Sequence, residues 1–107
     1  LNCLGLKYTE QKDLAGNIAG ADIIYMTRVQ KERFSDPIEY ERTKNAYILK
    51  SKMLEGTKEN MRVLHPLPRV NEIDLDVDAN PKAYYFTQAL NGVFVRQAII
   101  ASILGLK

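Results

Sequence analysis

The sequence predicts an α/β chain, with short parallel strands and helices alternating along it. Three observations lead there. Asp22 to Thr27 and Arg62 to His65 are short runs rich in apolar residues, of the kind that fills buried parallel strands. From Tyr84 to Leu104 the residues Phe86, Leu90, Val93, Ile100 and Leu104 recur near helical spacing, which predicts a long C-terminal helix. Helix-start signals fall between the strands.

Taken in order, Leu4 to Thr9 reads as a short extended piece after Gly5, and Leu14 to Ala21 as a short helix weakened by Gly16 and Gly20. The strand at Asp22 to Thr27 follows. Arg28 to Pro37 is polar and reads as a long loop. Asp36-Pro37 followed by Glu39 is a helix start, with Asp36 as cap and Pro37 as first helical residue. Ser51 to Gly56 is a further short helix, with Ser51 as its cap. The strand at Arg62 to His65 must end at Pro66 and Pro68, which cannot donate to a ladder. Asp74, Asp76 and Asp78 alternate with Leu75 and Val77 on a short turn or helix. Asn80-Pro81 is expected to open the last element. Toward its end that helix is apolar around most of its circumference and needs partners on more than one side.

The chain has 107 residues, and its charge balance of 15 basic against 13 acidic residues is too even to argue for a nucleic-acid partner. The single cysteine, Cys3, excludes an intrachain disulfide or a Cys-rich zinc site. Asp74, Asp76 and Asp78 lack the glycine and distal Glu of a calcium loop, so no metal site is expected. The most apolar stretch, Val93 to Leu106, is interrupted by Arg96, Gln97 and Ser102 and is shorter than the roughly 20 residues of a membrane span. Few strands for an α/β domain, together with Leu1 in place of a starting Met, suggest a piece of a larger chain.

Two segments follow directly on the predicted strands, and in open parallel sheets ligands bind at the carboxyl ends of strands. The first carries Arg28, a planar fork suited to a carboxylate, and Gln30, an amide donor. The second carries Pro66 and Pro68 around Leu67. It lacks two backbone N–H groups and therefore presents carbonyls, which suit a ligand NH₂ group. A solvated basic loop and a strand-ending turn fit the same residues. His65 reads more readily as a buried, hydrogen-bonded histidine than as a catalytic one. Arg96, within an apolar helix, reads as one arm of a structural ion pair. Asn91-Gly92, unusual in a helix, suggests close approach by another backbone.

Three groups of residues then carry a resemblance. Tyr25-Met26-Thr27-Arg28-Val29-Gln30-Lys31-Glu32-Arg33-Phe34 is the first. His65-Pro66-Leu67-Pro68-Arg69-Val70-Asn71-Glu72-Ile73 is the second. The third is Tyr85-Phe86-x-Gln88-Ala89-x-Asn91-Gly92 with Arg96-Gln97-Ala98. In order and spacing they resemble the C-terminal third of the aspartate carbamoyltransferase catalytic chain. The ornithine-specific sister enzymes resemble it only loosely, because they carry Cys at the position of Pro66 and nothing like the Arg28 segment.

The resemblance implies a partial Rossmann-like parallel sheet, the C-terminal half of a carbamoyltransferase fold. Residues 1–83 would belong to the L-aspartate-binding domain, and residues 84–107 would form a helix packing back toward a carbamoyl-phosphate domain outside this chain. It implies carbamoyl transfer from carbamoyl phosphate to L-aspartate, in cytoplasmic pyrimidine biosynthesis, by a homotrimer of catalytic chains with or without regulatory chains and without a cofactor. By residue, Arg28 and Gln30 would bind aspartate, Glu32 would orient Arg28, and the backbone at Leu67 and Pro68 would meet carbamoyl phosphate. Glu39 and Tyr40 would switch partners within a closing loop spanning about Val29 to Ala46, where the stretch Phe34 to Pro37 is one residue longer than in some members. The family's phosphate-gripping Ser-Thr-Arg-Thr motif, its carbonyl-polarising histidine and an arginine for the α-carboxylate match nothing in these 107 residues. No catalytic residue is therefore expected within the chain, which alone should be inactive. The alternative is a non-catalytic piece of the fold that serves binding or assembly.

Overall fold

The computed structural model describes residues 4–29 and 35–106. Two strands, β1 (Ile23–Tyr25) and β2 (Arg62–Leu64), pair in parallel, with Ile23 opposite Arg62, Ile24 opposite Val63 and Tyr25 opposite Leu64. The α-helices are α1 (Pro37–Ala46) and α2 (Tyr85–Ile103), and 3₁₀ turns occupy Ala15–Asn17, Ser51–Leu54 and Leu75–Ala79. Successive side chains on a strand point to opposite faces. Ile24 and Val63, which share a face, are buried, whereas Ile23 and Tyr25 are exposed. One face of the sheet is therefore covered by the described residues, although the apolar run Asp22 to Thr27 is suited to burial on both.

The covered face rests on a core of Ile18, Ile24, Met26, Leu49, Leu54, Met61, Val63, Ile73, Val77 and Tyr85. Loops supply much of it and are held by single bridges, one to β2 and one between loops. Val63 exchanges backbone hydrogen bonds with Lys82 and Tyr84, at 2.9 and 3.0 Å, and Leu49 does so with Glu72 and Asp74, both at 2.8 Å. The first bridge brings the approach to α2 against the edge of β2, and the second ties the segment before the Ser51 turn to the segment after the Pro66 loop.

Helix α1 begins as its residues dictate. The Asp36 carboxylate accepts from the Ile38 N–H at 2.9 Å, Pro37 occupies the first turn, where its missing N–H costs nothing, and Glu39 lies at the positive end of the dipole. Helix α1 thus fills the second half of the stretch expected to be a closing loop. Helix α2 ends in a Schellman motif: Gly105 at φ +73° lets Leu106 N–H reach Ala101 O and Gly105 N–H reach Ser102 O. Between Tyr85 and that end, α2 projects from the body with Leu90, Phe94, Ile99 and Ile103 exposed. The radius of gyration, 16.8 Å, exceeds the roughly 13 Å of a compact chain of this length.

Several expectations are corrected. Leu4 and Gly5 form a turn, with Gly5 at φ +66°, in place of the extended start expected there. The cap position of the 3₁₀ turn Ser51–Leu54 is Lys50 and has no side-chain cap. Ser51 instead donates its N–H to Asp76 Oδ1 at 3.0 Å and receives the Asn80 amide on its hydroxyl at 3.0 Å. Asn80-Pro81 does not open α2. The Asn80 side chain accepts from Lys82 N–H and its carbonyl from Ala83 N–H, making a turn that delivers Ala83 to its bridge with Val63, and α2 starts only at Tyr85. At Gly92 the crowding group is a side chain of the same helix: a Cβ there would lie 2.9 Å from Arg96 Nη1. Arg96 forms no ion pair with any described residue. Cys3, Gln30 and Glu32 lie outside the described residues.

Candidate functional site

The carboxyl ends of β1 and β2 open onto two clefts that meet at Tyr25. The first, of about 230 Å³, is lined by Leu14, Met26, Thr27, Arg28, Val29 and Tyr47 together with Tyr25. Arg28 is exposed and makes no hydrogen bond or ion pair with a described residue, so no described residue competes with a ligand carboxylate for its guanidinium. Tyr47 is held in the cleft wall by donating its hydroxyl to Lys12 O at 3.0 Å. The second cleft, of about 240 Å³, is lined by Tyr25, His65, Pro66, Gln88, Ala89, Gly92 and Arg96. Gln88 joins the strand ends. Its Oε1 accepts His65 N–H at 2.9 Å, the donor left over where β2 stops, and its amide donates to the Tyr25 hydroxyl at 3.2 Å.

After β2 the chain turns through Pro66, Leu67 and Pro68 with a cis Leu67–Pro68 bond and Leu67 at φ +50°. The loop closes on two buried side chains. Leu67 N–H donates to His65 Nδ1 at 2.7 Å, so the neutral ring carries its proton on Nε2, which donates to Glu72 Oε1 at 2.6 Å. Glu72 Oε2 accepts the N–H groups of Val70 and Asn71, each at 3.1 Å. Burial alone would raise the Glu72 pKa, but the backbone N–H groups and the His65 ring outweigh it and hold the carboxyl below its ordinary value. His65 is thus the buried, hydrogen-bonded histidine its context suggests. With both ring nitrogens committed, it is poorly placed to exchange a proton with a ligand.

The far end of the loop is tied to α2. Arg69 holds Asp78 through both guanidinium nitrogens, the Nη2 to Oδ2 contact being 2.6 Å, and Tyr85 donates its hydroxyl to the same carboxylate. Arg69 lowers the Asp78 pKa, and burial followed by the Asp78 contact pushes the Tyr85 phenol up to about 12. Glu39 is exposed in the first turn of α1, and Tyr40 is half-buried on the same helix. Reading the sequence assigned no role to Glu72 or Gln88. The one signal for Glu72 is an acid seven residues after His65 in a loop rich in proline.

Because the folded state holds Glu72 and Asp78 more acidic than an unfolded chain does, both stabilise the fold above the unfolded pKa. That contribution is lost as pH falls through the lower folded values. Stability should therefore decline below about pH 4.3, and Glu72→Gln should be less stable at pH 7 with a shallower acid limb. Melting temperatures from pH 3 to 7 check this; equal slopes for parent and variant would contradict it.

Residues 2–103 match the family model described as "Aspartate/ornithine carbamoyltransferase, Asp/Orn binding domain". The chain belongs to the aspartate/ornithine carbamoyltransferase family. Among its carbamoyltransferase relatives, the aspartate carbamoyltransferase catalytic subunit of Bacteroides fragilis is 63% identical over 102 residues, which are 94% of this chain and 33% of the relative. That of Vibrio campbellii is 57% identical over 100 residues, covering 94% of this chain and 32% of the relative. The solved catalytic subunit of M. jannaschii aspartate transcarbamoylase superposes with a TM-score of 0.86 at 42% identity, covering 97% of this chain and 34% of that one. The Trypanosoma cruzi aspartate transcarbamoylase, solved with carbamoyl aspartate and phosphate, superposes at 0.71 with 39% identity over 81% of this chain and 28% of its own. The chain thus spans about a third of the length of the carbamoyltransferases it matches, and the expected α/β carbamoyltransferase fold is the one it has. Among its described residues no helix is long and apolar enough to cross a membrane, and no group of three His, Cys, Asp or Glu could hold a metal ion.

Proposed function

We propose that the chain is the aspartate-binding part of an aspartate carbamoyltransferase. In the reaction, the amine of L-aspartate attacks the carbamoyl carbon of carbamoyl phosphate. A C–N bond forms, the bond from that carbon to the phosphate oxygen breaks, and phosphate leaves with the electron pair while the nitrogen sheds a proton. The products are N-carbamoyl-L-aspartate and phosphate. Arg28 grips the aspartate side-chain carboxylate, Gln30 assists and Glu32 orients the arginine. Backbone groups at Leu67 and Pro68 receive the carbamoyl end of the donor. Glu39 and Tyr40 serve closure over the substrates. The exposed apolar surface of α2 docks on the carbamoyl-phosphate domain. The whole catalytic chain works as a cytoplasmic homotrimer, with or without regulatory chains.

The observation that carries this reading is Arg28, exposed, unpaired among the described residues and lining a cleft that adjoins the one beside the Pro66 loop. Two substrates that must react with each other need two neighbouring subsites, and a carboxylate-specific cation suits aspartate, where an ammonium-bearing side chain would be repelled. A full-length catalytic chain carrying this sequence should form carbamoyl aspartate from the two substrates and discriminate against L-ornithine. Turnover of ornithine in place of aspartate would overturn the reading.

A further inference from the structure

We infer that His65 and Glu72 are positioning residues, a buried clasp that holds the backbone at Leu67 and Pro68 in the form that receives carbamoyl phosphate. The inference rests on the carbamoyl-transfer reading above and assigns the pair a part in it. Leu67 has φ +50°, a region that L-residues with large side chains seldom occupy. Such a conformation persists where its surroundings over-determine it. Here the loop supplies those surroundings itself. The strained residue's own N–H is held by His65 Nδ1, the opposite side of the ring is held by Glu72, and Glu72 returns to the loop through Val70 and Asn71 N–H. The His65 and Glu72 side chains are 1% and 3% exposed, so solvent does not compete for these bonds.

An apolar pair would fill the same space without desolvating a carboxylate, so bulk stability is a weak reason for the clasp. Directional bonds on three backbone N–H groups within five residues are a reason tied to geometry. The hold extends outward: Gln88 fixes the His65 backbone and Arg69 ties the loop to Asp78 and Tyr85. Neither nitrogen of His65 is open to a ligand, which separates a positioning role from a catalytic one.

The two halves of the ring can be tested apart in a full-length catalytic chain that carries this sequence. In His65→Asn the amide oxygen occupies the place of Nδ1 and can still accept from Leu67 N–H. In His65→Gln the amide nitrogen occupies the place of Nε2 and can still reach Glu72, but Leu67 loses its acceptor. The KM for carbamoyl phosphate should rise at least about tenfold in His65→Gln and distinctly less in His65→Asn, with the KM for aspartate changed by less than about threefold in both. Glu72→Gln should raise the carbamoyl phosphate KM as well while keeping a cooperative melt. A purely structural pair would instead lower activity with both substrates in proportion to the melting temperature. That result overturns the inference, as does a carbamoyl phosphate KM within about twofold of the parent in all three variants, or failure of all three to fold. A parent enzyme that makes no carbamoyl aspartate would overturn the reaction assignment first, and the clasp's part in it as a consequence.

Discussion

Replacing Arg28 by alanine in the full-length enzyme is expected to lower kcat/KM for aspartate by about tenfold to a hundredfold. Hydrogen bonds to charged groups contribute about 1.5–3 kcal/mol, and roughly 1.4 kcal/mol is a decade in an equilibrium constant. In the proposed pairing both nitrogens of the fork meet the carboxylate, so the planar fork contributes direction as well as charge. Its loss also leaves the aspartate carboxylate desolvated without a partner, which increases the effect. No described residue shares the Arg28 guanidinium, so the substitution should remove ligand contacts and little internal structure. Carbamoyl phosphate should be affected much less, because the groups proposed to receive it, the backbone at Leu67 and Pro68, belong to the separate loop after β2. Arg28→Lys should restore only part of the activity, since a point charge cannot reproduce the fork. Steady-state kinetics with each substrate varied in turn decide the matter. Equal losses for both would indicate a folding defect, and unchanged kinetics with aspartate would remove Arg28 from the site.

What was legible in the sequence divides along a physical line. Local chemistry read well. Asp36-Pro37 caps α1 because a carboxylate followed by a residue without an N–H satisfies a helix start with no help from the rest of the fold. The strand at Asp22 to Thr27 and the helix after Tyr84 were likewise written in residue type and period. Elements whose roles are set by distant partners read poorly. Asn80 resembles a helix opener, yet Ser51, brought to it by the fold, captures its amide, and the turn feeds a bridge to Val63 instead. Gly92 suggested a neighbouring backbone, but the group above it is Arg96, one turn later in the same helix.

The candidate site shows the same division. Arg28 and the Pro66 loop stood out because their residue types carry chemistry at a strand end, where a parallel sheet opens. Glu72 did not stand out. Its importance lies in meeting His65 across a loop whose closure depends on Leu67 at φ +50°, and no spacing rule predicts that conformation. Gln88 was visible only as a motif letter. Its function as the link between the ends of β1 and β2 requires α2 to start at Tyr85, after the Ala83 bridge has set its angle to the sheet.

The isolated 107-residue polypeptide is expected to produce no carbamoyl aspartate above a protein-free control. Carbamoyl phosphate is a dianion, and binding it takes several cations and N–H donors converging on one point. Among the described residues the second cleft offers one arginine, Arg96, beside the Gln88 amide and a loop from which two prolines remove donors. That falls short of a phosphate cradle. The same polypeptide is expected to self-associate. Phe86, Leu90, Phe94, Ile99, Ile100 and Ile103 are each more than half exposed on one projecting helix, and contiguous apolar surface of that kind is rare on stable monomers. Burying a single such side chain contributes about 1.5–3 kcal/mol, so burial of most of them on both copies is needed to offset the roughly 4–15 kcal/mol cost of association and still leave the net of about 8 kcal/mol of a micromolar complex. Sedimentation velocity across a concentration series and a product assay on the same sample test both expectations. A concentration-independent monomer would show that α2 does not need a partner, and detectable carbamoyl aspartate would show that these residues hold the phosphate unaided.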